Sequence, residues 1–274
     1  MLSRPGLAVA VTVLAAACVP PDTAPSTVSA PSGEHAEVVA VSDGDSFIAR
    51  FDGTEVEVRL VGVNAPERSE CLGPESADAL AALIQGRAVT IPAAGERDQF
   101  DRLLAVVVVD GTDVNRAQVE AGMALALTPA GPGEADYRDA EEQAWSARTG
   151  MWSPGACGAG PLPEVRVVEV EADPPGPDDQ RLDEEAVVIE NSGDTAVALG
   201  GWVLRDESSA NRFPFPDGLL LAPGDQTRVV TGCAAGARRL AWCAGSPVWN
   251  NAGDTALLLD PAGRVVDRFR YSSG

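Results

Sequence analysis

The chain contains no lysine; all twenty of its basic residues are arginine. A mutational bias toward arginine codons accounts for this, so the absence carries no functional weight. Histidine is nearly absent too. His35 is the single one, and it falls in an expected linker. Chemistry built on a Ser-His or Cys-His pair is therefore disfavoured, and acid–base work falls to carboxylates. Positive charge is short as well: 20 basic residues against 41 acidic ones give a formal net charge of -21. Such a surface repels phosphate backbones at long range. It argues against a tight, nonspecific nucleic-acid binder, but not against an enzyme with a local basic site. No repeat unit recurs within or between the halves of the chain. What is present is 274 residues with 45% hydrophobic content, enough for two domains with a core each and incompatible with wholesale disorder.

The first eighteen residues, "MLSRPGLAVAVTVLAAAC", read as an export signal. Arg4 makes the start positive, and Leu7 to Val13 form an apolar stretch too short to span a bilayer comfortably. "LAAAC" resembles a bacterial lipobox, which implies lipidation of Cys18 and a lipoprotein anchored outside the cell membrane. Ala15-x-Ala17 also fits ordinary cleavage after Ala17, which gives a secreted protein instead. Residues 19–36, rich in Pro, Ser, Thr and Ala, read as a flexible tether. Beyond Cys18 the cysteines are Cys71, Cys157, Cys233 and Cys243. An even number in an exported chain suggests disulfides, with three possible connectivities. Two separate domains favour Cys71 with Cys157 and Cys233 with Cys243.

Residues 37–158 alternate strands with helices. "EVVAV", "SFIARF" and "EVEVRLVGV" are three strands joined by the turns "DGDS" and "DGT". "PESADALAALI" has helical spacing, "RAVTI" and "LLAVVVV" are two further strands, and "VNRAQVEAG" and "EADYRDAEEQAWSARTG" are helices stopped by glycine. Five strands in a meander with three helices predict a small closed α+β barrel of the OB-fold type. "SPGACGAGPLP" then marks a boundary. Residues 163–274 carry strands only, with turn signals such as "NSGD", "PDG", "NNAGD" and "PAGR", and predict an all-β sandwich.

Charged residues gather at strand ends of the first domain. Asp43 and Asp45 sit in the first turn, Arg59 lies in the third strand, Asn64 and Glu67 follow it, and Arg102 opens a later strand. Converging on one rim, they would suit phosphodiester hydrolysis: cations on phosphate oxygens, a carboxylate activating water, and a hard metal held by oxygens. Pattern alone fits solvated turn acids and surface ion pairs better.

The series "DGDSF…VEVRLVGVNAPE…GPES…DQFDRLLA…DVNRAQVEAGMA…GMW" resembles the staphylococcal (micrococcal) nuclease, or thermonuclease, family, from about Glu37 to Gly158. The resemblance implies an OB-fold barrel that cleaves DNA and RNA with calcium (Ca2+) and leaves 3′-phosphates. By position it implies calcium ligands at Asp45, Asn64 and the carbonyl of Ala65. It likewise implies a catalytic carboxylate at Glu67 and phosphate-binding arginines at Arg59 and Arg102. Arginine suits that role because its planar fork donates two parallel hydrogen bonds and stays charged. The chain departs from the family pattern in several places. Asn64 stands where the family has a carboxylate, which should weaken calcium binding. Phe100 stands for a tyrosine and Gln99 for a lysine, and "ALALTPAG" lacks a tyrosine pair.

The second domain resembles a lamin-tail domain through "VIENSGDTAVALGGWVLRDESS", "FPFPDGLLLAPGD" and "WNNAGDTALLLD". This implies an immunoglobulin-like sandwich with a targeting or binding role and an unknown ligand. Trp202, Trp242 and Trp249 are expected in its core, and Asn250, Asn251 and Asp254 in a turn. The combined expectation is an exported, monomeric, calcium-dependent nuclease with nucleic acid as substrate. The alternative is a noncatalytic nucleic-acid or envelope-binding protein on a degenerate barrel.

Overall fold

The structure is a computed structural model, and it describes residues 33–91, 95–128, 133–158, 160–234, 236 and 239–272. The expected export signal, Cys18 and most of the tether lie outside the described residues. The first domain opens with β1 (Glu34–Val41), β2 (Ser46–Phe51) and β3 (Thr54–Leu60). They pair as an antiparallel meander. The alternation in "TEVEVRL" puts Val58 and Leu60 inside and leaves the glutamates in water. Strand β1 begins within the expected tether: His35 and Ala36 pair with Thr90 and Val89. His35 therefore belongs to the barrel and not to a linker.

The chain continues through β4 (Val63–Asn64), α1 (Gly73–Ile84), β5 (Ala88–Ile91), β6 (Leu103–Ala105), β7 (Val108–Val109), β8 (Thr112–Asp113), α2 (Val114–Glu120), β9 (Leu125–Ala126) and α3 (Glu134–Ala147). The main sheet runs β6-β3-β2-β1-β5-β7-β8. The stretch "LLAVVVV" is two strands rather than the single expected one. Val107 N–H bonds to Asn115 Oδ1 at 3.0 Å instead of joining a ladder, and Val107 O accepts from Val114 N–H. The break lets β6 pair with β3 while β7 pairs with β5. One short run of chain thus touches both sides of the sheet and curls it into a barrel. The β3–β6 pairing is parallel, so the expected simple meander ends there. Phe47, Val58, Leu60, Leu80, Ile84, Val89 and Ile91 fill the interior.

The second domain contains β10 (Val165–Glu171), β11 (Ala186–Asn191), β12 (Val197–Ala198), β13 (Val203–Arg205), β14 (Arg212–Pro214), β15 (Leu220–Leu221), β16 (Gln226–Val230), β17 (Arg239–Ala241), β18 (Gly253–Leu259) and β19 (Val265–Ser272). Two four-stranded sheets, β10-β11-β16-β17 and β14-β13-β18-β19, enclose Val187, Ile189, Trp202, Leu204, Trp249 and Leu258. Trp242 is partly buried and meets Trp249 edge-on, with ring centroids 6.1 Å apart. Asn250 and Asp254 close a turn: Asn250 N–H donates to Asp254 Oδ2 at 3.2 Å. Disulfides join Cys71 to Cys157 and Cys233 to Cys243. The first closes 86 residues of chain and ties the loop after β4 to the end of the first domain.

The two domains share a packed seam. Leu125, Ala144, Met151 and Trp152 meet Leu257, Leu259 and Val265 in one apolar cluster. Glu141 on α3 is fully buried and pairs with Arg268 and Arg270 of β19. Arg268 also lies over the ring of Trp145, 4.8 Å from its centroid. Glu207, two residues past the end of β13, reaches the first domain. Its carboxylate accepts from Thr128 N–H at 2.5 Å and from the Thr255 hydroxyl at 2.7 Å.

Burial, with the charge of Asp254 behind it, pushes the Glu207 carboxyl from its ordinary 4.5 to about 8. Burial and then Asp206 push Asp254 from 3.8 to about 7. Both folded-state values are raised, so between about 4 and 8 the folded protein holds protons that the unfolded chain has released. This contribution to stability is complete at acid pH and is lost as pH rises through 7 and 8. Thermal melts are expected to show a falling midpoint between pH 6 and pH 9. Glu207→Gln should flatten that decline and melt above the parent at pH 9.

Candidate active site

The site grows from the turn between β1 and β2. Asp45 N–H bonds to Asp43 Oδ1 at 2.9 Å, which closes the "DGDS" turn. A Cβ on Gly44 would come within 1.8 Å of Ser76 Oγ on α1, so only glycine lets the turn lie against that helix. From below, Gln118 of α2 donates to Gly44 O at 2.6 Å. The turn thereby delivers the Asp45 carboxylate into the barrel wall with 5% of its surface exposed. Its Oδ1 accepts from the Ser46 hydroxyl at 2.9 Å. Its Oδ2 accepts from Ala65 N–H at 2.6 Å and faces Arg59 Nη2 at 3.0 Å.

Arg59, one residue before the end of β3, turns its guanidinium onto the same spot. Nη1 donates to the carbonyls of Leu60 and Val63 at 2.7 and 2.8 Å, and Nη2 to Asn64 Oδ1 at 3.1 Å. The planar fork thus folds the β3–β4 turn around itself. Asn64 is buried and donates through Nδ2 to the carbonyl of Glu207 in the second domain at 2.8 Å. Arg102 approaches from the residue before β6. Its Nε and Nη2 bind Asp98 Oδ2, each at 2.7 Å, and its Nη1 reaches the Ser46 hydroxyl at 3.4 Å. Ser46 therefore links Arg102 to Asp45. Phe100 is 68% exposed beside Arg102, whose guanidinium lies 5.4 Å from the ring centroid.

Glu67 stands at the rim, exposed, just past Pro66. Among the described residues no hydrogen bond or ion pair engages its carboxylate, while its N–H donates to Glu70 Oε2 at 3.0 Å. A Cβ on Gly73 would lie 1.9 Å from Glu67 O, so glycine is needed for this loop to pack against the start of α1. Glu67 is near enough to bias the titration of both Arg59 and Arg205.

The electrostatics are tense. Burial raises the Asp45 carboxyl to about 6; Arg59 opposes the shift and Asp43 adds to it. Burial, followed by Arg102 among the opposing charges, lowers the Arg59 pKa. Burial thus works against both charges of the Asp45–Arg59 pair. The side-chain oxygens gathered there (Asp43, Asp45 and the Asn64 amide) suit a hard cation in kind, although each residue already serves a protein partner. Among the described residues no group of three or more His, Cys, Asp or Glu side chains is arranged to hold a metal ion.

The fold thus brings Asp45, Arg59, Asn64, Ala65 and Arg102 together and sets Glu67 at the edge. Ala65 meets the cluster through its N–H, whereas the resemblance named its carbonyl. Sequence reasoning assigned no role to Asp98, although the i, i+4 spacing in "DQFDR" was a usable signal for a partner of Arg102. It also missed Glu70, a local partner of the Glu67 N–H, and Arg205 and Glu207, which reach the site only through tertiary packing.

Residues 57–154 match the family model described as staphylococcal nuclease homologue, and residues 159–273 that described as lamin tail domain. Asp45 precedes the first matched segment. A Shigella flexneri protein named micrococcal nuclease is 31% identical over 127 residues, covering 43% of this chain and 72% of that one. An uncharacterized endonuclease of Haemophilus influenzae is 32% identical over 117 residues, covering 42% of this chain and 65% of that protein. One of Escherichia coli O157:H7 is 37% identical over 91 residues, covering 33% and 59%. The chain spans less than two thirds of the length of these two endonucleases.

Removing Arg59 would leave a buried carboxylate without its cation, which typically costs about 3–5 kcal/mol. Removing Arg102 would leave Asp98, which water can reach, at a cost of about 1 kcal/mol or less. Urea unfolding of Arg59→Ala and Arg102→Ala should show that difference.

Proposed function

Because the chain belongs to the staphylococcal nuclease homologues through its first domain and carries a lamin tail domain as its second, we propose that it is a calcium-dependent nuclease that hydrolyses DNA and RNA. One observation carries this reading. Arg59 directly, and Arg102 through Ser46, meet at the buried Asp45 carboxylate, while among the described residues no hydrogen bond or ion pair engages the Glu67 carboxylate at the rim.

In this reading the arginines receive the non-bridging oxygens of a phosphodiester and stabilise the charge that builds as water adds to phosphorus. Arg59 would exchange part of its present contact with Asp45 and Asn64 for the phosphate. Glu67 takes the proton from the attacking water as the new P–O bond forms. The P–O bond to the 5′ oxygen breaks, that oxygen takes a proton from water, and Glu67 returns its own proton to solvent, leaving a 3′-phosphate on one fragment and a 5′-hydroxyl on the other. Calcium, held by Asp45 and Asn64 beside the Ala65 main chain, would supply further positive charge at the phosphate. Asp98 holds Arg102 in place by two bonds from one carboxylate oxygen, and exposed Phe100 offers a face for an unstacked base. The acidic surface keeps nucleic acid at arm's length except at this local site, so single-stranded or denatured substrates should be preferred.

The proposal includes export. Lipidation at Cys18 would tether a monomeric protein outside the cell membrane, and cleavage after Ala17 would release it. The second domain would add a targeting or binding function. Among the described residues no helix is long and apolar enough to cross a membrane. One observation favours the noncatalytic alternative: both polar atoms of the Asn64 amide are already engaged, by Arg59 and by Glu207.

The two readings part in a nuclease assay on denatured DNA with millimolar calcium. The expected result is cleavage that a chelator abolishes. Glu67→Gln is expected to slow it by roughly 10²–10⁴-fold with unchanged circular dichroism. Undiminished cleavage by that variant would remove Glu67 from the mechanism, and no cleavage by the parent would favour the binding protein.

A further inference from the structure

We propose that the second domain is a working part of the catalytic site: Arg205, Arg212 and the main chain of Glu207 position Asn64 and the loop that carries Glu67. The catalytic consequence rests on the nuclease reading above; the positioning rests on geometry alone.

Three contacts carry it. First, the carbonyl of Glu207 accepts from Asn64 Nδ2 at 2.8 Å. With that donor engaged, the amide oxygen is turned toward Arg59. A carboxylate at position 64 would have no proton for the Glu207 carbonyl, so the asparagine and the second domain form a matched pair. Second, Glu70 is a two-sided strut. Its Oε1 accepts from Arg212 Nη1 at 2.5 Å, and its Oε2 lies 3.9 Å from Arg205 Nη1. The same Oε2 accepts the Glu67 N–H at 3.0 Å. A push on either arginine therefore reaches the backbone of Glu67 through a single carboxylate. Third, the Glu207 side chain holds Thr128 N–H, just past β9, and β9 pairs with the strand that contains Asn64. The segment from Arg205 to Arg212 thus grips both sides of the β4 end.

The loop needs such support. Behind it lies a cleft of about 280 Å³ between the domains, lined by Asn64, Pro66, Arg205, Arg212, Met151 and Leu257 among others. It is not backed by packed core, so without the strut it has room to shift. Adhesion between the domains has other sources, the apolar seam and the Glu141 ion pairs. Removing Arg212 should therefore loosen the loop without parting the domains.

The test uses the full-length protein and compares Arg212→Ala and Arg212→Lys with the parent, by hydrogen–deuterium exchange and by steady-state cleavage of denatured DNA. In Arg212→Ala, exchange over residues 64–70 should rise while residues 46–51 and 253–259 stay as in the parent. Its kcat should fall about ten-fold or more with KM little changed, as expected when a reacting group is displaced. Arg212→Lys, which keeps the charge on Glu70, should recover most of both. Unchanged exchange over 64–70 would overturn the strut. Faster exchange with unchanged kcat would reduce it to a structural contact. Faster exchange over 253–259 as well would show that the domains had separated, which overturns local positioning. A parent protein that does not cleave would sink the nuclease reading and the catalytic consequence with it, while exchange would still decide whether the second domain holds the loop.

Discussion

A guanidinium placed in a barrel wall must find acceptors for its donors, and Arg59 finds four, three of them in the turn that follows it. Two are carbonyls of the turn itself, one is the Asn64 amide and one is the Asp45 carboxylate. This arrangement ties the path of residues 60–65 to Arg59. It also explains why the "DGDS" turn must press into α1 with a glycine at its tip. Asp45 has to travel inward to meet a charge that cannot leave. Neither ion is comfortable there, since burial opposes both. Each is tolerated because the other is present and because Ser46 and Ala65 complete its hydrogen bonds.

From this centre the legible and illegible parts of the molecule separate clearly. The meander strands show in alternation, because one face of each is wet, and α1 shows in its buried Ala77, Leu80 and Ile84. The order of Asp45, Arg59 and Arg102 along the chain could be read, since turns and strand ends place them. The split at Val107 could not: it depends on a side-chain amide eight residues later, Asn115, replacing a ladder bond. Strands β12, β14 and β17 are two or three residues long, too short for any period to show. Arg205, Arg212 and Glu70 were invisible for a different reason: over 130 residues separate partners that only the docking of two domains brings into contact.

That docking is unusually polar where it nears the site and apolar away from it. Leu125, Trp152, Leu257 and Leu259 give the seam its adhesion, and Glu141, fully buried, anchors two arginines at its far side. Near Asn64 the contacts become directional: a carbonyl, a carboxylate and two guanidiniums. Directional bonds add little adhesion but much geometry. Such a division is expected where one surface both holds two domains together and sets the position of a reactive loop.

The strut through Glu70 also has a consequence for the order in which the protein comes into being. Chains are made from the N-terminus, and a domain folds once it has emerged. The barrel is complete well before residue 205 has been synthesised. Through that interval Asn64 lacks its carbonyl partner and Glu70 its two arginines, so the Glu67 loop stands unsupported. A protein able to cut nucleic acid would then acquire its finished site only after its second domain has folded, so the barrel by itself would be a poorer enzyme than the whole chain.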